Sequence, residues 1–203
     1  MQTHDFLREL HRRLRPRGYF EVGVFRGHSL SMAACPAVGI DPAPQVQVDL
    51  GPNARVVQLP SDAFFALEPE ALRDLVPQPL DLALIDGLHH WEQALRDVRN
   101  VWPWMSHGGL IVLDDVLPRE QAEAGPKPVT AAWAGDVWKV VDILRAAHVP
   151  LTLVDTQPTG CALVATHVRA PEFAAVAPTA DLPDWVLHRW GAVAPDKVLE
   201  ALA

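Results

Sequence analysis

Three acids and two histidines carry the first chemical signal in this chain. Asp86, His89 and His90 stand in the stretch LIDGLHH, and Asp114 and Asp115 stand in LIVLDDV. Each group closes an apolar run, so each falls where a buried strand emerges into solvent. If the two strands are neighbours, their tips lie about 4.8 Å apart. Carboxylates crowded that closely repel one another unless something positive lies between them. A hard divalent cation answers the need: Mg2+ commonly takes one or two carboxylates and completes its shell with waters and substrate oxygens. Asp86, Asp114 and Asp115 are therefore the candidate metal ligands. A metal lowers the pKa of a hydroxyl that it binds, and an imidazole titrating near neutrality can accept the proton. His89, three residues past Asp86, and His90 are the candidate bases. Taken singly, each group also has a plainer reading: Asp114 and Asp115 as a helix cap or loop pair, the histidines as solvent-exposed or capping groups.

A second constellation lies upstream. YFEVGVFRGHS has the spacing E-x-G-x-x-x-G at a strand-to-helix turn. Gly23 permits a sharp turn, and Gly27 allows close backbone approach. This is not the G-x-G-x-x-G of dinucleotide binding, and Glu21 would repel a pyrophosphate. A carboxylate there suits a cationic group such as an ammonium. Asp41 ends the next strand, where an acid can accept both hydroxyls of a ribose. Ser61 and Asp62 close the third strand and offer polar groups to an adenine edge. The bland reading of Gly23 and Gly27 alone is a tight turn with surface acids. Together with Asp41 they describe a nucleoside that bears an ammonium and no phosphate, which is S-adenosylmethionine.

The elements that must position these groups alternate. A helix is expected over 3–15, a strand over 18–23, a helix over 27–34 stopped by Pro36, and strands over 37–41 and 55–59. Helical residues follow over 62–75, then a strand over 80–85 and a helix over 91–102. In that helix Trp91, Ala94, Leu95, Val98, Val101 and Trp102 make one apolar stripe. A strand over 109–113, a polar loop over 116–132 and a helix from Asp136 to His148, capped by Asp136, come next. Strands over 151–154 and 161–165, joined by Gln157–Gly160, read as an antiparallel hairpin. The expectation is an α/β fold: a Rossmann-like, doubly wound seven-stranded sheet, mostly parallel with an antiparallel C-terminal hairpin strand. Ligands of such sheets bind outside the carboxyl ends of the strands. Glu21, Asp41, Asp86, Asp114 and Asp115 fall at those ends.

On these residues the chain resembles the class I S-adenosylmethionine-dependent methyltransferases: YFEVGVFRGHSL is similar to their first motif and VGIDP to their second. The resemblance covers about residues 15–165. It implies that Glu21, Gly23 and Gly27 line the methionine end, that Asp41 holds the ribose, and that Ser61 and Asp62 lie near the adenine. The stretch from Asp81 to Val116 resembles the metal-dependent O-methyltransferases, of which the catechol and macrocin types are familiar. The resemblance implies metal acids at Asp86, Asp114 and Asp115, with Asp86 also on the cofactor side. The catechol type has a lysine base where this chain has His89, and the macrocin-like group tends to an acid where it has Leu88. TAAWAGDVWKVV is also similar to small bacterial enzymes of the macrocin-like group. The implied activity is Mg2+-dependent O-methylation of a small hydroxylated molecule. A metal-independent N- or S-methyltransferase and a non-catalytic cofactor-binding subunit are the alternatives.

The bulk properties bound these readings. A chain of 203 residues with 49% hydrophobic content suits a single domain with a sizeable core. The expected division is an N-terminal helix over 1–17, the methyltransferase domain over 18–166, and a C-terminal extension over 167–203 that covers the site or makes a homodimer contact. The net charge of −8 argues against a nucleic-acid partner. The lack of a long apolar run argues against a membrane span. The charged N-terminus is unlike a secretory signal, and two cysteines, Cys35 and Cys161, make no disulfide framework. A cytoplasmic protein is expected. Trp133 and Trp138 flank Gly135-Asp136 and divide between packing and substrate contact.

Overall fold

The structure is a computed structural model and describes residues 1–130, 132–167 and 181–202. Seven strands form one sheet: β1 (Tyr19–Val22), β2 (Ala37–Ile40), β3 (Ala54–Val57), β4 (Leu80–Ile85), β5 (Met105–Asp114), β6 (Leu151–Val154) and β7 (Cys161–Ala165). Their order is β3-β2-β1-β4-β5-β7-β6. The first five run parallel, and β7 lies antiparallel between β5 and β6. The helices are α1 (Thr3–Leu14), α2 (Ser61–Phe65), α3 (Pro69–Leu75), α4 (Trp91–Val101), α5 (Trp138–Ala146), α6 (Asp184–Leu187) and α7 (Pro195–Ala201). This is the expected Rossmann-like, doubly wound seven-stranded sheet, mostly parallel with an antiparallel C-terminal hairpin strand. Strand order reverses between β1 and β4, so the ligand crevice opens at their carboxyl ends.

Side chains alternate across a strand, and the sheet therefore feeds two cores. On one face Phe20 and Val22 of β1 join Phe64, Val98 and Val141. On the other Tyr19 joins Leu82, Leu84 and the α1 residues Phe6, Leu7 and Leu10. Each such side chain contributes roughly 1.5–3 kcal/mol by leaving water. Both faces of the central strands are covered, which explains why β1 and β2 are buried at every position. It also places Glu21 on the α1 face with no exposed surface. The described part of the C-terminal extension packs on this chain: Val193 bridges to Val154, Arg13 donates to Leu199 O, and Arg145 lies over the Trp185 ring at 4.5 Å. Residues 168–180 of that extension lie outside the described residues.

Four expectations are corrected. The helix over 27–34 is only a 3-10 turn, Leu30–Met32. Gly27 sits at φ +81° and Ser29 turns its hydroxyl inward to Glu21, so little chain is left before Pro36. The helical stretch 62–75 is two helices, broken where Pro69 must sit in a first turn. The fifth strand begins earlier, at Met105, with a register shift opposite Leu80–Leu82. Asp136 does not cap α5, which starts at Trp138; its Oδ1 accepts the Trp91 N–H of α4 instead, at 2.9 Å.

Candidate functional site

A cavity of about 760 Å3 opens at the carboxyl ends of β1, β2 and β4. Its floor is the β1 exit. Gly23 has φ +93°, and a Cβ there would come 1.9 Å from the Asp86 carbonyl, so this approach of two strand tips requires glycine. Asp41 faces the cavity and is fixed by two backbone donors, Phe25 N–H to Oδ2 at 2.8 Å and Ala43 N–H to Oδ1 at 2.7 Å. Phe25 is held at φ +42°, a left-handed value unusual for an aromatic residue. Its ring and Leu88 are exposed apolar groups at the mouth, 53% and 56% accessible.

Glu21 and Gly27 were expected to line the methionine end, yet neither reaches the cavity surface. Glu21 lies beneath it, accepting the Tyr19 hydroxyl at 2.6 Å and the Ser29 hydroxyl at 2.7 Å. Ser29 lines the cavity and stands between the two. Burial pushes the Glu21 carboxyl up to about 8, against the two hydroxyl bonds, and the negative charges of Asp86 and Asp41 push the same way. Gly27 instead packs under Val46 and Leu50.

Ser61 and Asp62 line the far end of the cavity, joined by two α4 residues that sequence reasoning missed. Gln93 Nε2 donates to Ser61 Oγ (2.9 Å), Asp62 Oδ1 (3.0 Å) and Asp97 Oδ1 (3.0 Å). Asp97 is 1% exposed, and burial raises its carboxyl to about 6 although Ser61 and Gln93 hydrogen-bond to it. The available signal was an acid beside the apolar stripe of α4. His4, Arg26 and His28, also missed, line the cavity too. They lie on α1 and in the loop after β1, where no spacing rule marked them.

Asp86, His89 and Asp115 converge: one ligand atom from each lies within 4.8 Å of the others. His89 Nε2 is 3.1 Å from Asp115 Oδ2 and 3.5 Å from Asp86 Oδ1. Burial alone would lower the His89 pKa, but the hydrogen bond to Asp86 and the two carboxylate charges carry it up to about 9. Asp115 stands at φ +63°, and its Oδ1 accepts the Thr159 hydroxyl at 2.5 Å. Burial and the neighbouring acids push both Asp114 and Asp115 upward. Asp114 is not in the converging group. Its Oδ1 accepts the Asp115 N–H at 3.0 Å and faces the Thr3 hydroxyl at 3.5 Å. Where the sequence pointed to Asp114, the structure brings the His89 imidazole together with Asp86 and Asp115 instead. His90 is the residue before α4, its ring edge-on to Trp133, and it is also outside the group.

Two carboxylates and an imidazole nitrogen are a donor set that fits a divalent cation. The cavity beside them is lined by Asp41 at one strand tip, by Ser61, Asp62 and Gln93 at the far end, and by His4, Arg26 and His28. Residues 20–116, a little under half of the chain, match a family described as a methyltransferase domain. The fold is similar to that of cofactor-bound Rv0187 from MTB, at 19% identity and TM-score 0.64 over 82% of this chain and 80% of that one. It is also similar to the SAH-bound methyltransferase PaMTH1 of Podospora anserina, at 14% identity and TM-score 0.59 over 80% and 76%. The O-methyltransferase from Bacillus cereus in complex with SAH aligns at 15% identity and TM-score 0.57 over 80% of each chain. No curated protein matches the sequence.

Proposed function

We propose that this protein is an S-adenosylmethionine-dependent methyltransferase that O-methylates a small hydroxylated molecule with the help of a divalent cation, Mg2+ or a borderline metal. The observation that carries the reading is the adjacency of Asp41, Gly23 and the Asp86–His89–Asp115 group around one cavity. The methyltransferase-domain match over 20–116 and the fold support it.

In this reading the ribose hydroxyls bond to Asp41, already fixed by its two backbone donors. Ser61, Asp62 and Gln93 meet the adenine edge. Ser29, backed by buried Glu21, faces the methionine end, where the cation's charge favours the ionised carboxyl. The nucleoside donor supplies an electrophilic methyl group, and a divalent cation held by Asp86, His89 and Asp115 would supply acidification of the acceptor hydroxyl. The chain's own residues orient the acceptor: exposed Leu88 and Phe25 offer it apolar contact at the mouth. As a ligand whose other nitrogen lies on the Trp133 carbonyl, His89 would have no free lone pair, so a carboxylate oxygen of Asp86 or Asp115 would receive the proton that leaves the hydroxyl. Most of the rate gain then comes from positioning and charge compensation.

The test is formation of S-adenosylhomocysteine with a panel of catechols, phenols and sugar hydroxyls, with and without chelator. Chelator-sensitive methyl transfer to oxygen supports the reading. Transfer indifferent to chelator, or to nitrogen or sulfur, refutes the metal-assisted O-methyl part. The domain boundaries at 17 and 167 belong to the same proposal.

A further inference from the structure

The loop that follows β5 begins at Asp115 and ends at Trp133–Asp136, and His89 touches both of its ends. At one end, His89 Nε2 lies 3.1 Å from Asp115 Oδ2. At the other, His89 Nδ1 lies 2.9 Å from the Trp133 carbonyl. A carbonyl only accepts, so Nδ1 carries the proton of that bond and Nε2 is the nitrogen presented to the carboxylates.

Four further contacts hold the turn containing His89. The Trp133 ring stacks on the imidazole, centroids 5.2 Å apart at 30°, and meets His90 edge-on. The Asp136 N–H donates to the His89 carbonyl at 3.3 Å, and the Asp136 carboxylate caps Trp91, with Lys139 on its other oxygen at 2.8 Å. Gly135 is what permits this approach: it is at φ +66°, and a Cβ there would stand 1.8 Å from the His89 carbonyl oxygen. Trp133 is itself tied back into the loop, its indole N–H donating to Gly125 O at 2.6 Å.

We propose that Trp133, Gly135 and Asp136 are positioning residues that clamp the β4–α4 turn, fix the Nδ1–H form of His89 and aim its Nε2 at Asp86 and Asp115. The clamp makes the loop after β5 and the His89 site one mechanical unit: displacing the loop at Trp133 removes the partner that orients the imidazole. A ring partner at the second nitrogen is how proteins orient a histidine that works through the first. The catalytic consequence rests on the methyl-transfer reading, whereas the geometry of the clamp does not.

The test is ring-15N NMR on the full chain without cofactor, metal or acceptor. The His89 Nδ1–H signal is assigned by its loss in His89→Gln. We expect slow solvent exchange of this proton in the wild type. In Gly135→Ala we expect exchange roughly tenfold or more faster, with S-adenosylhomocysteine affinity, read by calorimetry, changed less than about twofold. If Gly135→Ala does not fold, Trp133→Ala is read in its place, with the same expected loss of protection and with Trp133→Phe, which keeps the stacking, restoring it. A folded variant of either kind with wild-type protection overturns the clamp. Failure of the protein to transfer methyl groups would leave this NMR result standing, so the two ideas fail separately. Where transfer is measurable, Gly135→Ala should lower kcat while leaving KM for the methyl donor near wild type; an equal fall through donor KM contradicts a positioning role.

Discussion

Asp115 and His89 meet across the tips of neighbouring strands, Oδ2 to Nε2 at 3.1 Å. Asp114, one residue earlier, turns its Oδ1 to the Asp115 N–H and Thr3. Two adjacent acids thus face different partners. Asp115→Asn should weaken Mn2+ binding, followed by electron paramagnetic resonance, by about tenfold or more, since loss even of a supporting partner costs a metal site ~10–100-fold. Asp114→Asn should change it by less than about threefold. The reverse ranking would put Asp114 in the ligand set in place of Asp115.

Asp41 is pre-fixed by Phe25 and Ala43 N–H groups, so the ordering cost is met before a ribose arrives. Asp41→Ala should weaken S-adenosylmethionine binding by roughly 1.5–3 kcal/mol, the usual range for a charge-assisted hydrogen bond. Calorimetry reads this directly, and unchanged affinity refutes the ribose role. Asp41→Asn, which retains acceptor oxygen, should lose less.

Glu21 gives a pH signature. Its folded carboxyl titrates near 8 against an ordinary value of 4.5, because it is buried with only hydroxyl partners. Between those values the folded chain holds a proton that the unfolded chain has released. Its contribution to stability is therefore present below about 4.5 and lost as pH rises through 8, at a limiting slope of about 1.4 kcal/mol per pH unit. Denaturant melts from pH 5 to 8 should show a decline that Glu21→Gln reduces by roughly 1–4 kcal/mol across the range. An identical slope in the variant would place the titration elsewhere.

Gly23→Ala tests the β1 exit. A Cβ there would be 1.9 Å from the Asp86 carbonyl at a φ of +93°. Strain of this kind costs on the order of 1–3 kcal/mol. The variant should melt earlier and lose cofactor affinity beyond what the melting loss explains. Full affinity with normal melting would show that the tips can separate freely.

The sheet was legible because period and punctuation agreed: apolar runs such as Leu80–Ile85 stop at acids, and Pro158 and Gly160 mark the turn of the hairpin. The cavity-facing Asp41, Ser61, Asp62, Asp86 and Gly23 could be named because each ends or follows a strand. What spacing could not give was rotation. Nothing in LIVLDDV says which acid turns toward His89; that follows from Asp115 taking φ +63° and bonding to Thr159. Glu21 was legible as an acid at a strand end but not as a buried one, because burial depends on α1 folding over its face. Gln93 and Asp97 come from one helix face meeting another element, and the clamp at Trp133–Asp136 joins segments far apart in the chain. The 27–34 stretch failed as a helix because Ser29 has a tertiary partner that local propensity does not see.

The measurement that bears most directly on this account is diffraction from crystals grown with S-adenosylhomocysteine and Mn2+. The account predicts the ribose on Asp41 and one anomalous peak coordinated by Asp86, His89 Nε2 and Asp115, beside the sulfur. A nucleoside bound elsewhere, or no metal peak among those three side chains at saturating Mn2+, would contradict it.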